Sequence, residues 1–131
     1  MFVDASALVA ITADESDGLI LAQRIRTADR IETSAIAVYE ATLGLARAQQ
    51  IPIVDAQMAL EQFLVTARAE VIPITAEIGR IAIDAFARFG RGHHPARLNM
   101  GDCFAYACAR SLGVPLLCKG ADFPQTDIAL A

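Results

Sequence analysis

Short apolar runs alternate with longer stretches of helical periodicity along the whole chain. Met1 to Asp4 is a brief apolar run that ends on an acid. Residues 5–12 and about 17–27 read as helices, the second with Asp17 as its N-cap, because a short side-chain acceptor there satisfies a free backbone N–H. Arg30 to Thr33 is a short strand candidate. Ser34 then caps a helix running to about Gln49, and Asp55 caps another running to about Arg68. Val71 to Ile74 is a further strand, with Pro73 tolerated only near its end. Thr75 caps the most regular segment, in which Ile78, Ile81, Ala82, Ala85, Phe86 and Phe89 fall on one helical stripe. Gly90, Gly92 and Pro95 break that segment into the loop FGRGHHPARLN. Asn99 caps the next helix and Gly113 closes it. The run Val114 to Cys118 is an apolar strand, and Asp127 to Leu130 is the candidate for a last short one.

Strand and helix in alternation predict an α/β fold with a parallel sheet covered on both faces. Composition fits that picture. The 131 residues are 55% hydrophobic and 20% charged, too apolar for a disordered chain and of a size for a single domain over 1–131. Asp, Glu, Arg or Gln interrupts every stretch long enough to cross a bilayer, so no membrane span is expected. No internal repeat, low-complexity tract or linker is evident. Net charge is −4, from 11 Lys and Arg against 15 Asp and Glu, and Lys119 is the only Lys. An acidic chain is a poor starting point for binding nucleic acid by phosphate neutralisation. Cys103, Cys108 and Cys118 form no CxxC pair and read as reduced thiols packed as small apolar groups. The start, MFVDASAL, lacks a basic region and an apolar signal core, so a cytoplasmic location is expected.

In an open parallel sheet, ligands gather at the carboxyl ends of the strands. Four acids are placed to reach that edge. Asp4 ends the first apolar run, and Asp122 follows VPLLC by four residues. Asp102 is the third residue of the helix capped by Asn99, where free N–H groups favour a carboxylate. Glu40 lies within the otherwise apolar stretch AIAVYEATLGLA, and Arg47 is two turns away, too far to pair with it. A charge in such a helix costs several kcal/mol unless it is paired or binds a cation. Taken one at a time, Asp4 and Asp122 also read as turn residues and Asp102 as a helix-dipole acid. Converging without matching cations, the four would repel one another and have raised pKa values. A hard divalent cation such as Mg²⁺ or Mn²⁺ resolves that conflict, and such a site suits attack of an activated water on a phosphodiester.

FVDASAL, VYEATLGL, LNMGDCFAYACA and LLCKGADFPQTDI, in that order, resemble the four acidic motifs of PIN (PilT N-terminus) domain nucleases, most of all the VapC-type ribonuclease toxins of toxin–antitoxin pairs. The resemblance implies a three-layer α/β/α sandwich around a central, mostly parallel sheet. It implies catalytic acids at Asp4, Glu40, Asp102 and Asp122, of which Asp4 and Asp102 hold Mg²⁺ or Mn²⁺, with Ser6 and Asn99 supporting them. It also implies an RNA substrate, a small cognate antitoxin that blocks the acids, and a homodimer. Many members carry an acid two residues before the one matching Asp122, where this chain has Gly120; Asp127 is the substitute for the last acid.

The one basic patch is local. From residue 80 to 110 there are five Arg against two Asp, and Arg88, Arg91 and Arg97 with His93 and His94 are candidates to hold RNA phosphate. A solvated loop is the plainer reading. Adjacent His residues without paired Cys are not zinc-ligand spacing. Two rivals use Lys119. A phosphorelay receiver would employ Asp4, Asp55, Thr75 and Lys119, and leaves Glu40 and Asp102 without roles. A haloacid-dehalogenase-like phosphatase would use Asp4 as nucleophile, and has Ser6 where its second acid belongs.

Overall fold

In a computed structural model describing residues 1–131, four short strands make one wholly parallel sheet. They are β1 (Phe2–Val3), β2 (Glu32–Ser34), β3 (Glu70–Ile72) and β4 (Leu116–Leu117), in the order β3-β2-β1-β4. The register pairs Phe2 with both Glu32 and Leu116, and Ser34 with Ile72. Between β1 and β2 run α1 (Ala5–Thr12) and α2 (Gly18–Arg26), and between β2 and β3 run α3 (Ala35–Gln49) and α4 (Ile53–Ala67). The last crossover carries α5 (Ala76–Phe89) and α6 (Met100–Leu112), and a 3₁₀ turn, Phe123–Gln125, follows β4.

Successive strand residues point to opposite faces, and each face has its own core. Val3 and Leu117 pack with Leu8, Leu21, Ile25, Leu60 and Leu64 beneath α1 to α4. Phe2 and Leu116 pack with Ile78, Ala82, Phe89, Leu98 and Tyr106 beneath α5 and α6. The expected three-layer α/β/α sandwich is the structure observed. The chain leaves β1 toward β2 and β3, and later returns to place β4 on the other side of β1. That reversal makes the end of β1 a topological switch point, where open sheets leave a crevice for ligands.

Several local expectations shift. The helix after residue 17 forms, but Asp17 makes no capping bond; its carboxylate is drawn instead to the Lys119 ammonium, 3.4 Å away. Helix α4 begins at Ile53 behind Pro52, whose fixed φ suits a helix entry, and Asp55 stands in the first turn rather than at the cap. Strand β3 stops at Ile72 because Pro73 has no N–H to continue the ladder. Strand β2 starts at Glu32, and Arg30 just before it pairs with Glu32 and Glu70. The apolar run 114–118 pairs as a strand only at Leu116 and Leu117, and the last candidate strand reduces to a single bridge between Leu116 and Leu130. No helix is long and apolar enough to cross a membrane.

Candidate active site

Asp4 leaves β1 in extended conformation and caps α1. Its Oδ2 accepts from the Ser6 N–H at 2.9 Å and from the Ser6 hydroxyl at 2.5 Å. The same hydroxyl oxygen accepts from the Lys119 backbone N–H at 2.9 Å, so Ser6 ties the loop after β4 to the acid at the end of β1. On the other side of the crevice, Asn99 and Asp102 form a reciprocal capping box on α6. Asn99 Oδ1 accepts from the Asp102 N–H at 3.1 Å, and Asp102 Oδ2 accepts from the Asn99 N–H at 2.8 Å. Glu40 projects from α3 between these two and rests on the first turn of α6. There Gly101 leaves it room, since a Cβ on Gly101 would overlap the Glu40 carboxylate.

Asp4, Ser6, Glu40, Asn99 and Asp102 thus line one cleft of about 480 Å³. Asp4 is only 4% exposed. Burial raises its carboxyl above the usual range against the pull of the Ser6 bonds. Burial likewise raises Glu40, with the charges of Asp4 and Asp102 adding to the effect. Asp102 is pushed up to about 6 by burial, relieved in part by the Asn99 N–H and increased again by Asp4 and Asp122. Repulsion among these acids is the condition expected of carboxylates gathered without cations. None of the three pairs with a basic side chain: Lys119, which also lines the cleft, gives its ammonium to Glu15 at 2.7 Å and to Asp17 at 3.4 Å.

Asp122 stands outside the cleft wall, exposed at the start of the 3₁₀ turn, yet near enough for its charge to raise Asp102 and to help push the Cys118 thiol up to about 12, an effect led by burial. Asp127 is engaged elsewhere. It accepts from Tyr106 Oη and from Arg88, each at 2.6 Å, and these bonds hold its carboxyl below the usual range. Arg88 is accordingly neutralised by Asp127 and Asp84 rather than free in the basic patch. Arg91 and Arg97 remain exposed on the loop between α5 and α6 and make no ion pair. His93 stands edge-on to Phe86 and His94 edge-on to Phe89, both as packing groups. Asp55 lies exposed on α4 rather than at a strand end, and Lys119 faces Glu15 and Asp17 rather than Asp4, which removes the receiver and phosphatase readings. Sequence reasoning passed over Glu15, which lines the cleft, and Gly101, which lies against the Glu40 carboxylate, and it weighed Lys119 only for the two rival readings. The glycine beside Asp102 was the available signal.

The cleft offers oxygen donors only. One oxygen of Asp4 and one of Asp102 are committed to Ser6 and Asn99, which leaves their second oxygens and the whole Glu40 carboxylate for a ligand. No three acidic, His or Cys side chains close into a ready metal cage. A Mg²⁺-like ion that keeps most of its water and takes one or two carboxylates requires none, and the donor set fits it.

A family model for the PIN domain matches residues 1–129. The chain is 40% identical over 132 residues to Ribonuclease VapC28 of Mycobacterium tuberculosis, covering 100% of this chain and 97% of that protein. It is 37% identical to a VapC ribonuclease of Rhizobium meliloti, covering 97% of this chain and 98% of the relative. Among solved structures, that of VapC20 of Mycobacterium tuberculosis, described as a Sarcin-Ricin loop cleaving toxin, superposes with a TM-score of 0.80 over 99% of this chain and 97% of that one. At 19% identity the likeness to it is one of fold.

Proposed function

This chain belongs to the PIN domain family, and from that membership and its acid cleft we propose that it is a VapC-type endoribonuclease, the toxin of a toxin–antitoxin pair, acting on RNA in the cytoplasm. One observation carries the reading of the site. Asp4, Glu40 and Asp102 share a cleft at the switch point of the sheet, with raised pKa values and no cation of the protein to balance them. Asp4 and Asp102 would hold Mg²⁺ or Mn²⁺, and Asp122, whose charge reaches Asp102, would support a second ion. Such an ion supplies Lewis-acid activation of water and neutralises the charge that builds on the phosphate in the transition state. Glu40, free of protein partners, orients the attacking water and takes its proton. Ser6 and Asn99 fix the two aspartates so that one oxygen of each is always turned away from the ligand. No covalent enzyme intermediate is needed.

Cleavage of RNA by wild type and by Asp4→Asn, each with Mg²⁺, Mn²⁺ or EDTA, tests this. Wild type should cleave only with the divalent ion and Asp4→Asn not at all, and activity surviving in EDTA would sink the mechanism.

The same reading includes a small antitoxin over the acids and a toxin homodimer. The support for an interface is the exposed apolar stripe Val54, Met58 and Val65 on α4, at helical spacing, with Tyr39 on α3. Light scattering at micromolar concentration should give twice the 14.0 kDa chain mass, and a strict monomer counts against the dimer.

A further inference from the structure

Beside the acid cleft, on the other flank of the α6 N-terminus, lies a second and larger pocket of about 610 Å³ between α5 and α6. Asn99 and Asp102 face the cleft, whereas Met100, Cys103 and Phe104 of the same turns line this pocket. The two are therefore separated by about the width of one helix, ~10–12 Å. Its floor is apolar, with Ile83 and Phe86 from α5, and Arg80 and Arg91 complete its lining. No acid lines it. In a chain of net charge −4 that is a local reversal of sign, placed next to the acids.

Phe86 is the informative residue. It is 44% exposed, which a ring with no partner should avoid, yet it is held in one place. Gly90 lets the ring approach closely, since a Cβ there would stand 2.7 Å from Phe86 Cδ2, and His93 packs edge-on to it with ring centroids 5.8 Å apart. The loop that carries both is itself pinned, because Gly90 and Leu98 form a bridge and Arg91 N–H donates to the Leu98 carbonyl at 3.1 Å. A fixed, exposed aromatic face flanked by guanidinium groups has the two components by which single-stranded nucleic acid is held: a ring for a base to stack on and cations for its phosphates.

We propose that this pocket is a nucleobase subsite for the RNA substrate, with a base next to the scissile phosphodiester stacked on Phe86 and its phosphates met by Arg80 and Arg91. The proposal rests on the ribonuclease reading and extends it to how substrate is gripped. A protein segment would also value an apolar floor; the unopposed guanidinium groups and the position against the acids favour a polyphosphate chain.

The test is equilibrium binding of a fluorescein-labelled single-stranded RNA octamer of mixed sequence to the full chain in EDTA, where no cleavage occurs. A matched octamer of abasic ribose phosphates serves as the second probe. Phe86→Ala should weaken binding of the RNA about tenfold and leave the abasic chain unaffected, whereas Arg80→Gln and Arg91→Gln should weaken both and each lower the salt dependence by about one ion. Phe86→Leu preserves the packing against Gly90 and should lose most of the same binding, which separates stacking from folding. Equal loss on both probes for Phe86→Ala, or no loss on either, overturns the subsite. So does unchanged RNA binding together with lost binding of the cognate antitoxin. Should wild type bind the octamer in this way yet cleave no RNA with Mn²⁺, the ribonuclease reading fails while the base subsite stands; cleavage by wild type with Phe86→Ala unaltered is the reverse.

Discussion

At the scale of single residues, the site turns on what Gly101 lacks. The Glu40 carboxylate occupies the space a Cβ would fill, so Gly101→Ala must push the acid away from the first turn of α6. The displaced atoms are the end of a flexible side chain and Ala suits a helix better than Gly, so stability should stay within about 1 kcal/mol of wild type. Cleavage should fall on the order of 100-fold, because small misplacements of a reacting group carry costs of that size; an unchanged rate with an unchanged melt would place Glu40 outside the chemistry. Asp102 sets the pH response. Its carboxyl titrates near 6 in the folded chain against an ordinary value of 3.8, so the native state binds the proton more tightly than the unfolded one. Stability of the metal-free protein is then highest below pH 4 as far as this group is concerned, and falls as pH rises through 6. Asp102→Asn keeps an acceptor for the Asn99 N–H and removes the charge, so its melting temperature should vary less between pH 5 and 7.5 than that of wild type. Equal slopes would deny that the shift exists. The raised carboxyl was legible in the gathering of acids without matching cations, and LNMGD announces a cap and an acid, but that Gly101 makes room for a side chain some sixty positions earlier is a tertiary fact.

At the scale of elements, what the sequence announces is what is local. Ser34, Thr75 and Asn99 cap α3, α5 and α6 through their own side chains, because a cap is decided within three residues. Asp17 and Asp55 carry the same signal and fail it. Lys119, 102 positions from Asp17, competes for its carboxylate, and Pro52 starts α4 before Asp55 is reached. Asp127 likewise leaves the site for Arg88 and Tyr106, partners that spacing along the chain could not reveal. The link between β1 and the loop after β4 is of this long-range kind. It passes through one hydroxyl, which donates to Asp4 and accepts from Lys119 N–H. Ser6→Ala leaves that half-buried N–H without its acceptor and should cost about 1–3 kcal/mol in denaturant unfolding. It also frees Asp4 to rotate, and divalent affinity should drop roughly 10- to 100-fold, as it does when the supporting partner of a ligand is removed. Ser6→Thr, which keeps the hydroxyl, should recover both. A variant that loses stability and keeps full metal affinity would reduce Ser6 to a strap between two loops.

At the scale of the whole molecule, the alternation of elements foretold one parallel sheet covered on both faces, and of the four ordered acids Asp4, Glu40 and Asp102 line one cleft. Asp4 opens α1 and Glu40 rides on α3, both on the face built from α1 to α4, whereas Asp102 belongs to α6 on the opposite face. The cleft is therefore a seam between layers, and the uncompensated acids work against closing it. A cation bound there would act on the fold as a whole, since a ligand held only by the native state stabilises it by mass action, about 2.7 kcal/mol at a hundred times the Kd. Mn²⁺ should accordingly raise the melting temperature of wild type by several degrees, and EDTA should return it. Asp102→Asn separates this account from the plain alternative that Asp102 only offsets a helix dipole. At pH 7.5 without metal, relief of repulsion predicts a melting temperature equal to or above that of wild type, together with loss of cleavage and of most of the Mn²⁺ shift. Offset of the dipole predicts the opposite sign, a cost of about 0.3–1 kcal/mol that is the same with and without metal. Thermal melts of both proteins with and without Mn²⁺ read the difference directly. A destabilised Asp102→Asn that still gains the full Mn²⁺ shift would take Asp102 out of the site, and with it the layer-bridging role of the cleft.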